Sequence, residues 1–154
     1  MEPIKKNKIL ILDDQPEIRE IISEILDINF DGFEFDEAGN LLTANTLVNA
    51  NEYDLLLVDI YLKNDESGLD FISYVKNERN PNMETPIFVI TGYADTVKPL
   101  LKNIENVKLF SKVEGIEKLT SNVRDVLNIP MTDKDVVISS IEVLDIKEPG
   151  NTED

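Results

Sequence analysis

The sequence predicts an α/β fold in which helices cover both faces of a parallel sheet. Short runs of consecutive aliphatic residues are typical of strands that are buried on both faces. Segments with apolar residues at helical spacing separate these runs, so that strand and helix alternate in five successive units. Such alternation implies right-handed crossovers and therefore a doubly wound sheet.

Four apolar runs and one alternating segment are the predicted strands. The first, third and fourth strands read ILIL (9–12), LLLV (55–58) and IFVI (87–90). The second, FEFDEA (33–38), alternates apolar and acidic residues, and the weaker run VKLF (107–110) alternates in part. Alternation is typical of a strand with one less covered face, so we expect these two segments at the edges of the sheet.

The segments that follow the strands have apolar residues three and four positions apart, which predicts one buried face per helix. Pro16 is favourable in the first turn of the first helix. Pro99 is compatible with the fourth helix only near its start. The five predicted apolar faces are Ile18, Ile21, Ile22, Ile25 and Leu26; Leu41, Ala44, Leu47 and Val48; Gly68, Phe71, Ile72 and Val75; Val97, Leu100, Leu101 and Ile104; and Ile116, Leu119, Val123, Val126 and Leu127.

The composition excludes several classes of function. The net charge of −16 would repel polyanions, which argues against nucleic acid or an anionic membrane as a partner. The chain has no cysteine and no histidine, which excludes a disulfide scaffold, a zinc site and a histidine base. No apolar stretch has the length of a signal-peptide core or a membrane span, and we expect a cytoplasmic protein.

The 154 residues suit one domain with an appendage. We predict an N-terminal lead at 1–7, a single domain at 8–129 and an acidic tail or linker at 130–154, with no separate output domain. The tail contains an apolar patch from Val136 to Ile146, which we expect to pack on the domain rather than to form a dimer contact or begin a linker. Its last residues, EPGNTED, have the composition of a disordered segment.

Polar side chains follow four of the predicted strands at the point where each strand ends. Asp13 and Asp14 follow the first strand, Asp59 the third, Thr91 the fourth, and Lys112 lies just after the fifth. In open parallel sheets the ligand binds beyond the carboxyl ends of the strands, where the strand order reverses. We therefore expect these side chains to form one site.

Three converging carboxylates and one ammonium predict a cation site. Crowded carboxylates repel one another unless a positive charge neutralises them, and a hard divalent ion, Mg²⁺, is the natural partner of carboxylate oxygens. With its charge compensated, an incoming phosphoryl group can be attacked by Asp59 to form an acyl phosphate. Lys112 would then pair with one phosphoryl oxygen, and the Thr91 hydroxyl would donate to another.

This ordered set of residues resembles the response regulator receiver family, the CheY-like phosphoacceptor domains of two-component systems. The matching motifs are ILILDD, LLLVD, VITG and LFSK, in the family's order and on the expected strand ends. The resemblance extends from Lys8 to Asn128. It implies a flavodoxin-like three-layer sandwich whose five parallel strands have the order 2-1-3-4-5.

The resemblance also implies a magnesium site. Its side-chain ligands would be Asp14 and Asp59, with Asp13 acting mostly through water. The backbone carbonyl of Tyr61 would be a further ligand.

The resemblance implies a signalling switch rather than an enzyme. Asp59 would be the phosphoacceptor, and Thr91 and Lys112 would be the switch pair. The phosphoryl donor would be a histidine kinase or a histidine phosphotransfer protein, and the domain would assist its own phosphorylation and dephosphorylation. The downstream target is not evident from the sequence, and a homodimer is possible.

Two alternative functions remain open. One is an interaction module with this fold that works without phosphorylation. The other is an aspartyl-phosphate phosphohydrolase, although such enzymes typically have a second aspartate two residues after the nucleophile, where this chain has Tyr61.

The chain departs from the family pattern beside the lysine and before it. Val113 stands where the family usually has a proline joined by a cis bond. A cis bond before a non-proline residue costs roughly 3 kcal/mol, so we predict a trans bond between Lys112 and Val113. Leu109 stands where the family has an aromatic residue, so we expect a different readout of the phosphorylated state.

A second group of departures surrounds Asp59. Lys63 replaces a frequent proline, and Gly68 is about one residue late, which predicts a longer loop with an acidic rim at Asp65 and Glu66. Tyr61 and Tyr93 occupy positions that flank the phosphoryl group in the family. We hypothesise that their bulk hinders the attacking water and lengthens the lifetime of the phosphoryl group.

Overall fold

The computed structural model describes residues 6–112 and 116–130, in which strands and helices alternate. The strands are β1 (Lys8–Leu12), β2 (Glu34–Ala38), β3 (Leu55–Val58), β4 (Ile87–Thr91) and β5 (Val107–Ser111). The helices are α1 (Pro16–Asn29), α2 (Leu41–Ala50), α3 (Gly68–Val75), α4 (Ala94–Val97) and α5 (Ile116–Leu127), and a 3₁₀ turn spans Lys98–Leu101.

The five strands form one parallel sheet in the order β2-β1-β3-β4-β5, which confirms the predicted topology. The alternating segments β2 and β5 are the two edge strands, as expected. The strand order reverses between β1 and β3, so a crevice opens where these two strands end. Leu12 and Val58 are paired at that point, and Asp13 and Asp59 are the next residues along each strand.

The two faces of the sheet have separate apolar cores because successive strand residues point to opposite sides. One core packs α2 and α3 against even-numbered residues of β1, and the other packs α1 and α5 against the odd-numbered ones. The first core includes Leu10, Leu12, Leu56, Val58, Ala44, Val48, Phe71, Ile72 and Val75. The second includes Ile9, Ile11, Leu55, Leu57, Ile18, Ile22, Ile25, Leu26, Leu119 and Val123.

The fourth helix differs from its prediction. It begins earlier, at Ala94, and α-helical geometry ends at Val97, where the 3₁₀ turn that contains Pro99 takes over. Proline has no N–H to donate to the carbonyl four residues before it, so the α-helical hydrogen bonds cannot continue. Val97 and Leu101 are buried as expected, but Leu100 is 49% exposed and was wrongly assigned to the core.

A buried asparagine organises the amino end of the sheet, where the sequence predicted nothing. Asn82 is fully buried, and its amide group donates to the carbonyls of Val48 (2.8 Å) and Asn51 (2.7 Å) at the end of α2. Its Oδ1 accepts from the backbone N–H of Tyr53 at 2.7 Å, and the Thr85 hydroxyl donates to it at 3.3 Å. This network joins α2 and the start of β3 to the segment before β4.

The predicted trans bond between Lys112 and Val113 lies outside the described residues. So do the packing of the apolar patch from Val136 to Ile146 and the disordered character predicted for residues 148–154. Within the described ranges, no helix has both the length and the apolar character that a membrane crossing requires.

Candidate functional site

The carboxyl ends of the neighbouring strands β1 and β3 bring three carboxylates together. One oxygen each from Asp13, Asp14 and Asp59 lies within 4.8 Å of the other two. All three residues are buried, with exposed fractions of 2%, 8% and 2% respectively. These three residues, together with Thr91 and Lys112, form what we call the strand-end site.

A single ammonium group joins two of the carboxylates. The Nζ of Lys112 donates to Asp13 Oδ2 at 2.8 Å and to Asp59 Oδ2 at 3.0 Å. Its side chain is only 2% exposed, so these ion pairs are formed away from bulk water. The backbone N–H of Lys112 also donates to the carbonyl of Thr91 at 2.9 Å, which extends the β4–β5 pairing up to the site.

Asp14 is the exception in this cluster. Neither of its carboxylate oxygens has a hydrogen-bond partner within the described residues, although both are buried. Burial raises the pKa of the Asp14 carboxyl, and the negative charge of Asp13 raises it further. Its own nearby backbone N–H and the charges of Lys63 and Lys112 oppose this rise in pKa. Three carboxylates face one ammonium here, so the cluster has an excess of negative charge.

Local structure accounts for Asp13 but not for Asp14. Asp13 Oδ1 accepts from the backbone N–H of Gln15 at 2.8 Å, which closes a tight turn. The N-cap of α1 is Gln15, whose side chain makes no capping hydrogen bond, and Pro16 occupies the first turn. The acidic pair therefore does not cap α1.

The backbone that follows β3 holds Asp59 in place. The N–H of Asp59 donates to the carbonyl of Leu12 at 2.9 Å, and its Oδ1 accepts from the N–H of Tyr61 at 3.3 Å. The N–H of Gly68 donates to the carbonyl of Ile60 at 2.7 Å, which folds the loop back onto the strand end. A Cβ at position 68 would lie 2.2 Å from the carbonyl oxygen of Asp59, so only glycine allows this approach.

The loop after Asp59 is a small hairpin, which accounts for its extra length. Tyr61 and Ser67 form an antiparallel bridge, and the chain reverses between them. Asn64 and Asp65 adopt left-handed backbone conformations, with φ of 62° and 59°. Asparagine and aspartate tolerate this region better than most residues, so their position in the turn follows from local chemistry.

Glu66 does not form the exposed acidic rim that we expected beside Asp65. It is partly buried, and its Oε1 accepts from the backbone N–H of Leu41 at 2.9 Å. This bond satisfies one of the free N–H groups in the first turn of α2, where a negative charge is favourable. The loop that carries Asp59 is thereby fastened to the start of α2.

Thr91 is fully buried at the end of β4, and its Oγ1 accepts from the backbone N–H of Tyr93 at 3.2 Å. The hydroxyl thus closes a turn, as the simplest interpretation of a lone threonine suggests. A hydroxyl that accepts one hydrogen bond still has its own proton to donate. The structure does not place Thr91 in contact with Asp59 through any described hydrogen bond.

Two tyrosine rings meet across the two loops. The ring centroids of Tyr61 and Tyr93 are 4.9 Å apart, and the rings meet edge to face at 73°. The backbone N–H of each tyrosine donates to a side chain of the strand-end site, to Asp59 and Thr91 respectively. Tyr61 is 38% exposed, so the ring pair is next to the site in the chain and partly open to solvent.

Sequence reasoning did not single out Arg19, which reaches the same edge of the sheet from α1. Its guanidinium donates to the backbone carbonyl of Asp13 and to the side chain of Glu37. Its place in the sequence could have indicated this, because Arg19 lies one turn after Gln15 and next to the buried residue Ile18.

Residues 9–124 match the family described as the response regulator receiver domain. The chain belongs to this family. Receiver domains are generally phosphoacceptor switches rather than enzymes. The predicted resemblance is therefore confirmed for most of the chain.

This receiver domain is similar to curated relatives. It is 37% identical over 103 residues to the response regulator protein PilR of Pseudomonas aeruginosa, a match that covers 64% of this chain and 21% of PilR. It is 31% identical over 88 residues to the sporulation initiation phosphotransferase F of Bacillus subtilis, which covers 57% of this chain and 66% of that protein. The chain thus spans only about a fifth of the length of PilR.

Solved structures share the fold. A receiver domain of Methanospirillum hungatei superposes with a TM-score of 0.69 at 22% identity, covering 80% of this chain and 95% of its own. The response regulator TrrA of Thermotoga maritima, solved in complex with Mg²⁺–BeF, has a TM-score of 0.66 at 26% identity and covers 78% of this chain and 98% of its own.

Proposed function

We propose that this receiver domain accepts a phosphoryl group on Asp59 in a magnesium-dependent reaction and that phosphorylation changes its interactions with partners. The observation that carries the proposal is the carboxylate of Asp14, which is buried without a hydrogen-bond partner in the described chain. A buried and unpaired carboxylate costs several kcal/mol. The arrangement is therefore best explained as half of an interaction that a cation completes.

The residues of the site fit magnesium. Mg²⁺ prefers oxygen ligands and binds through a small number of carboxylates while keeping several waters. Asp14 and Asp59 would hold it through their side chains, Asp13 mostly through water, and Tyr61 through its backbone carbonyl. When bound, the ion would compensate the negative charge of the cluster and of an incoming phosphoryl group. The complex of TrrA with Mg²⁺–BeF supports this assignment.

The side chains divide the transfer between them. A carboxylate oxygen of Asp59 forms the new bond to phosphorus while the bond from phosphorus to the donor histidine nitrogen breaks, and the electron pair of that bond returns to the imidazole. Lys112, already within 3.0 Å of Asp59, supplies a positive charge to the phosphoryl oxygens. Thr91 has a hydroxyl proton to donate to another of these oxygens.

The donor would be a histidine kinase or a histidine phosphotransfer protein. These 154 residues contain no histidine, so the phosphohistidine cannot come from within them. The similarity to a sporulation initiation phosphotransferase supports a place in phosphoryl transfer between proteins. The charge of −16 disfavours nucleic acids and anionic membranes as partners of this segment.

We also propose a cytoplasmic location. The receiver domain itself would span residues 8–129.

Incubation with acetyl phosphate and Mg²⁺, followed by intact mass measurement, tests this function. We expect the wild type to gain one phosphoryl group, and we expect EDTA or Asp59→Asn to prevent the gain. Asp70→Asn is the matched control, because Asp70 is an exposed carboxylate in the first turn of α3. It should be phosphorylated like the wild type.

Two results would reject the proposal in favour of its alternatives. No gain of mass by folded wild-type protein would favour an interaction module that works without phosphorylation. Steady release of phosphate at enzymic rates, without a stable phosphorylated species, would favour a phosphohydrolase. The presence of Tyr61 two residues after Asp59, rather than a second aspartate, argues against the hydrolase.

A further inference from the structure

Arg19 connects the acidic pair to the edge strand β2. Its Nη1 donates to the backbone carbonyl of Asp13 at 2.5 Å, and its Nε donates to Glu37 Oε1 at 2.9 Å. The Arg19 side chain is only 17% exposed, whereas Glu37 is 42% exposed. One guanidinium therefore bridges the end of β1 and the end of β2.

The chain leaves space for this guanidinium at Gly39. A Cβ at that position would lie 3.1 Å from Nη1 of Arg19 and 4.0 Å from the carbonyl oxygen of Asp13. Few real Cβ contacts are so short, so a Cβ at position 39 would require the arginine head to shift by a few tenths of an ångström, and a branched side chain would require more. Glycine at position 39 thus leaves room for Arg19 on the Asp13 carbonyl.

The carbonyl that Arg19 holds belongs to the peptide that joins Asp13 to Asp14. A peptide group is planar, so fixing its oxygen also fixes the N–H and the Cα of the next residue. The Asp14 side chain has no hydrogen bond of its own in the described chain. Its direction consequently depends on this backbone and on packing, whereas Asp13 is held through its own side chain as well.

We propose that Arg19 is a positioning residue for the cation site, holding the Asp13–Asp14 peptide so that the Asp14 carboxylate stays beside those of Asp13 and Asp59. This proposal rests on the proposed function, because it concerns the magnesium affinity of the same site. Groups that hold metal ligands in place without contacting the metal themselves typically contribute 10–100-fold to metal affinity.

Electrostatics alone predicts the opposite effect. Removing a positive charge near an acidic cluster makes the cluster more negative and should strengthen its binding of a cation. Loss of positioning should weaken cation binding instead. The sign of the change in Mg²⁺ affinity therefore distinguishes a positioning role from a merely electrostatic one.

Calorimetric titration of the full chain with Mg²⁺ tests the proposal. We expect Arg19→Met to raise the dissociation constant about tenfold. We expect Gly39→Val to raise it as well, although this variant keeps every charge. We expect Arg19→Lys, which keeps the charge and one donor group, to lie between the wild type and Arg19→Met. Arg79→Met removes an exposed arginine far along the chain and is the matched control, with unchanged affinity.

The outcomes separate this proposal from the function on which it rests. If the wild type takes up no Mg²⁺, both are wrong. If the wild type binds but Arg19→Met and Gly39→Val bind equally well or more tightly, the positioning role is overturned and the proposed function stands. Thermal melting identifies any variant that is unfolded, and if Arg19→Met fails to fold, Gly39→Val and Arg19→Lys decide the question by the same criterion.

Discussion

Both ends of the sheet bury polar side chains, but at the carboxyl end one of them is left without a hydrogen-bond partner within the described chain. At the amino end, Asn82 is fully buried and both its amide group and its carbonyl oxygen are hydrogen-bonded to backbone groups. At the carboxyl end, Asp14 is 8% exposed and its two oxygens have no partner within the described chain. Both residues lie in loops that border the same parallel sheet.

This difference distinguishes a structural polar group from one that is kept for a ligand. A buried polar group whose hydrogen bonds are all made inside the protein stabilises one conformation and has no donor or acceptor left for a ligand. A buried charge without a partner is costly, and the fold tolerates it where binding later recovers the cost. The Asn82 network therefore belongs to folding, and the strand-end site belongs to function.

The largest effect on stability should come from removing the hydrogen bonds of Asn82 at the amino end of the sheet. Asn82→Ala leaves the carbonyls of Val48 and Asn51 and the N–H of Tyr53 without their partner. Each buried group left unsatisfied costs about 1–3 kcal/mol, so we expect a loss of about 3 kcal/mol or more in the free energy of unfolding by urea. Phosphorylation of the folded fraction by acetyl phosphate should be unchanged.

The matched control for this prediction is Asn103→Ala, because Asn103 is exposed on the surface. It should change the free energy of unfolding by less than about 0.5 kcal/mol. Equal stability of the Asn82 and Asn103 variants would contradict the structural role of Asn82. Loss of phosphorylation in folded Asn82→Ala would show that the Asn82 network also affects the strand-end site.

The opposite result is expected at the carboxyl end. Asp14→Asn removes a buried and unpaired charge, so the metal-free protein should become more stable by about 1–2 kcal/mol. Mg²⁺ stabilises whichever state binds it, and it should raise the melting temperature of the wild type but not of this variant. Thermal melting with EDTA and with Mg²⁺ measures both effects.

The pH dependence gives the same prediction a second readout. The pKa of Asp14 is raised in the folded state, so the folded protein holds this proton more tightly than the unfolded chain. The stability that this proton contributes is present below the ordinary carboxyl range and is lost as the pH rises through the raised pKa. In EDTA, the advantage of Asp14→Asn over the wild type should therefore grow from acid towards neutral pH. An advantage that shrinks over that range would contradict the assignment.

A smaller, kinetic effect is expected from the two tyrosines whose backbone borders the site. If the Tyr61–Tyr93 ring pair hinders the attacking water, the double variant Tyr61→Asn, Tyr93→Ala should release phosphate several-fold faster after phosphorylation. Release of inorganic phosphate from the loaded protein measures this rate, and Tyr74→Ala, which removes a tyrosine that is 38% exposed on α3, is the control. Unchanged release by the double variant would refute the hypothesis.

Much of this architecture was predictable because its signals are local. The aliphatic runs identified the buried strands, the alternating segments identified the edges, and the polar residues after each run indicated where the site lies. Parallel strands bring their carboxyl ends to one edge, so Asp13, Asp59 and Lys112 could be placed together without coordinates. The family resemblance supplied the strand order, which alternation alone did not determine.

Tertiary structure decided the contacts that join distant segments. Asn82 bonds to Val48, 34 positions away, and Glu66 bonds to Leu41, 25 positions away. Neither pairing leaves a periodic pattern in the sequence, because a single hydrogen bond depends on where two backbones pass in space. The exposure of Leu100 is a similar case, since the geometry after Pro99 rather than residue spacing sets its direction.

By itself, then, the sequence determined most of the apolar core, which segments form strands and which charged groups gather at the strand ends. Only the tertiary structure decided how those charges are shared, with Lys112 held by Asp13 and Asp59 and with Asp14 left without a partner among the described residues. The physical reason is range. Burial and periodicity are properties of neighbouring residues, whereas the pairing of one ammonium with two of three carboxylates depends on distances of a few ångströms between separate strands.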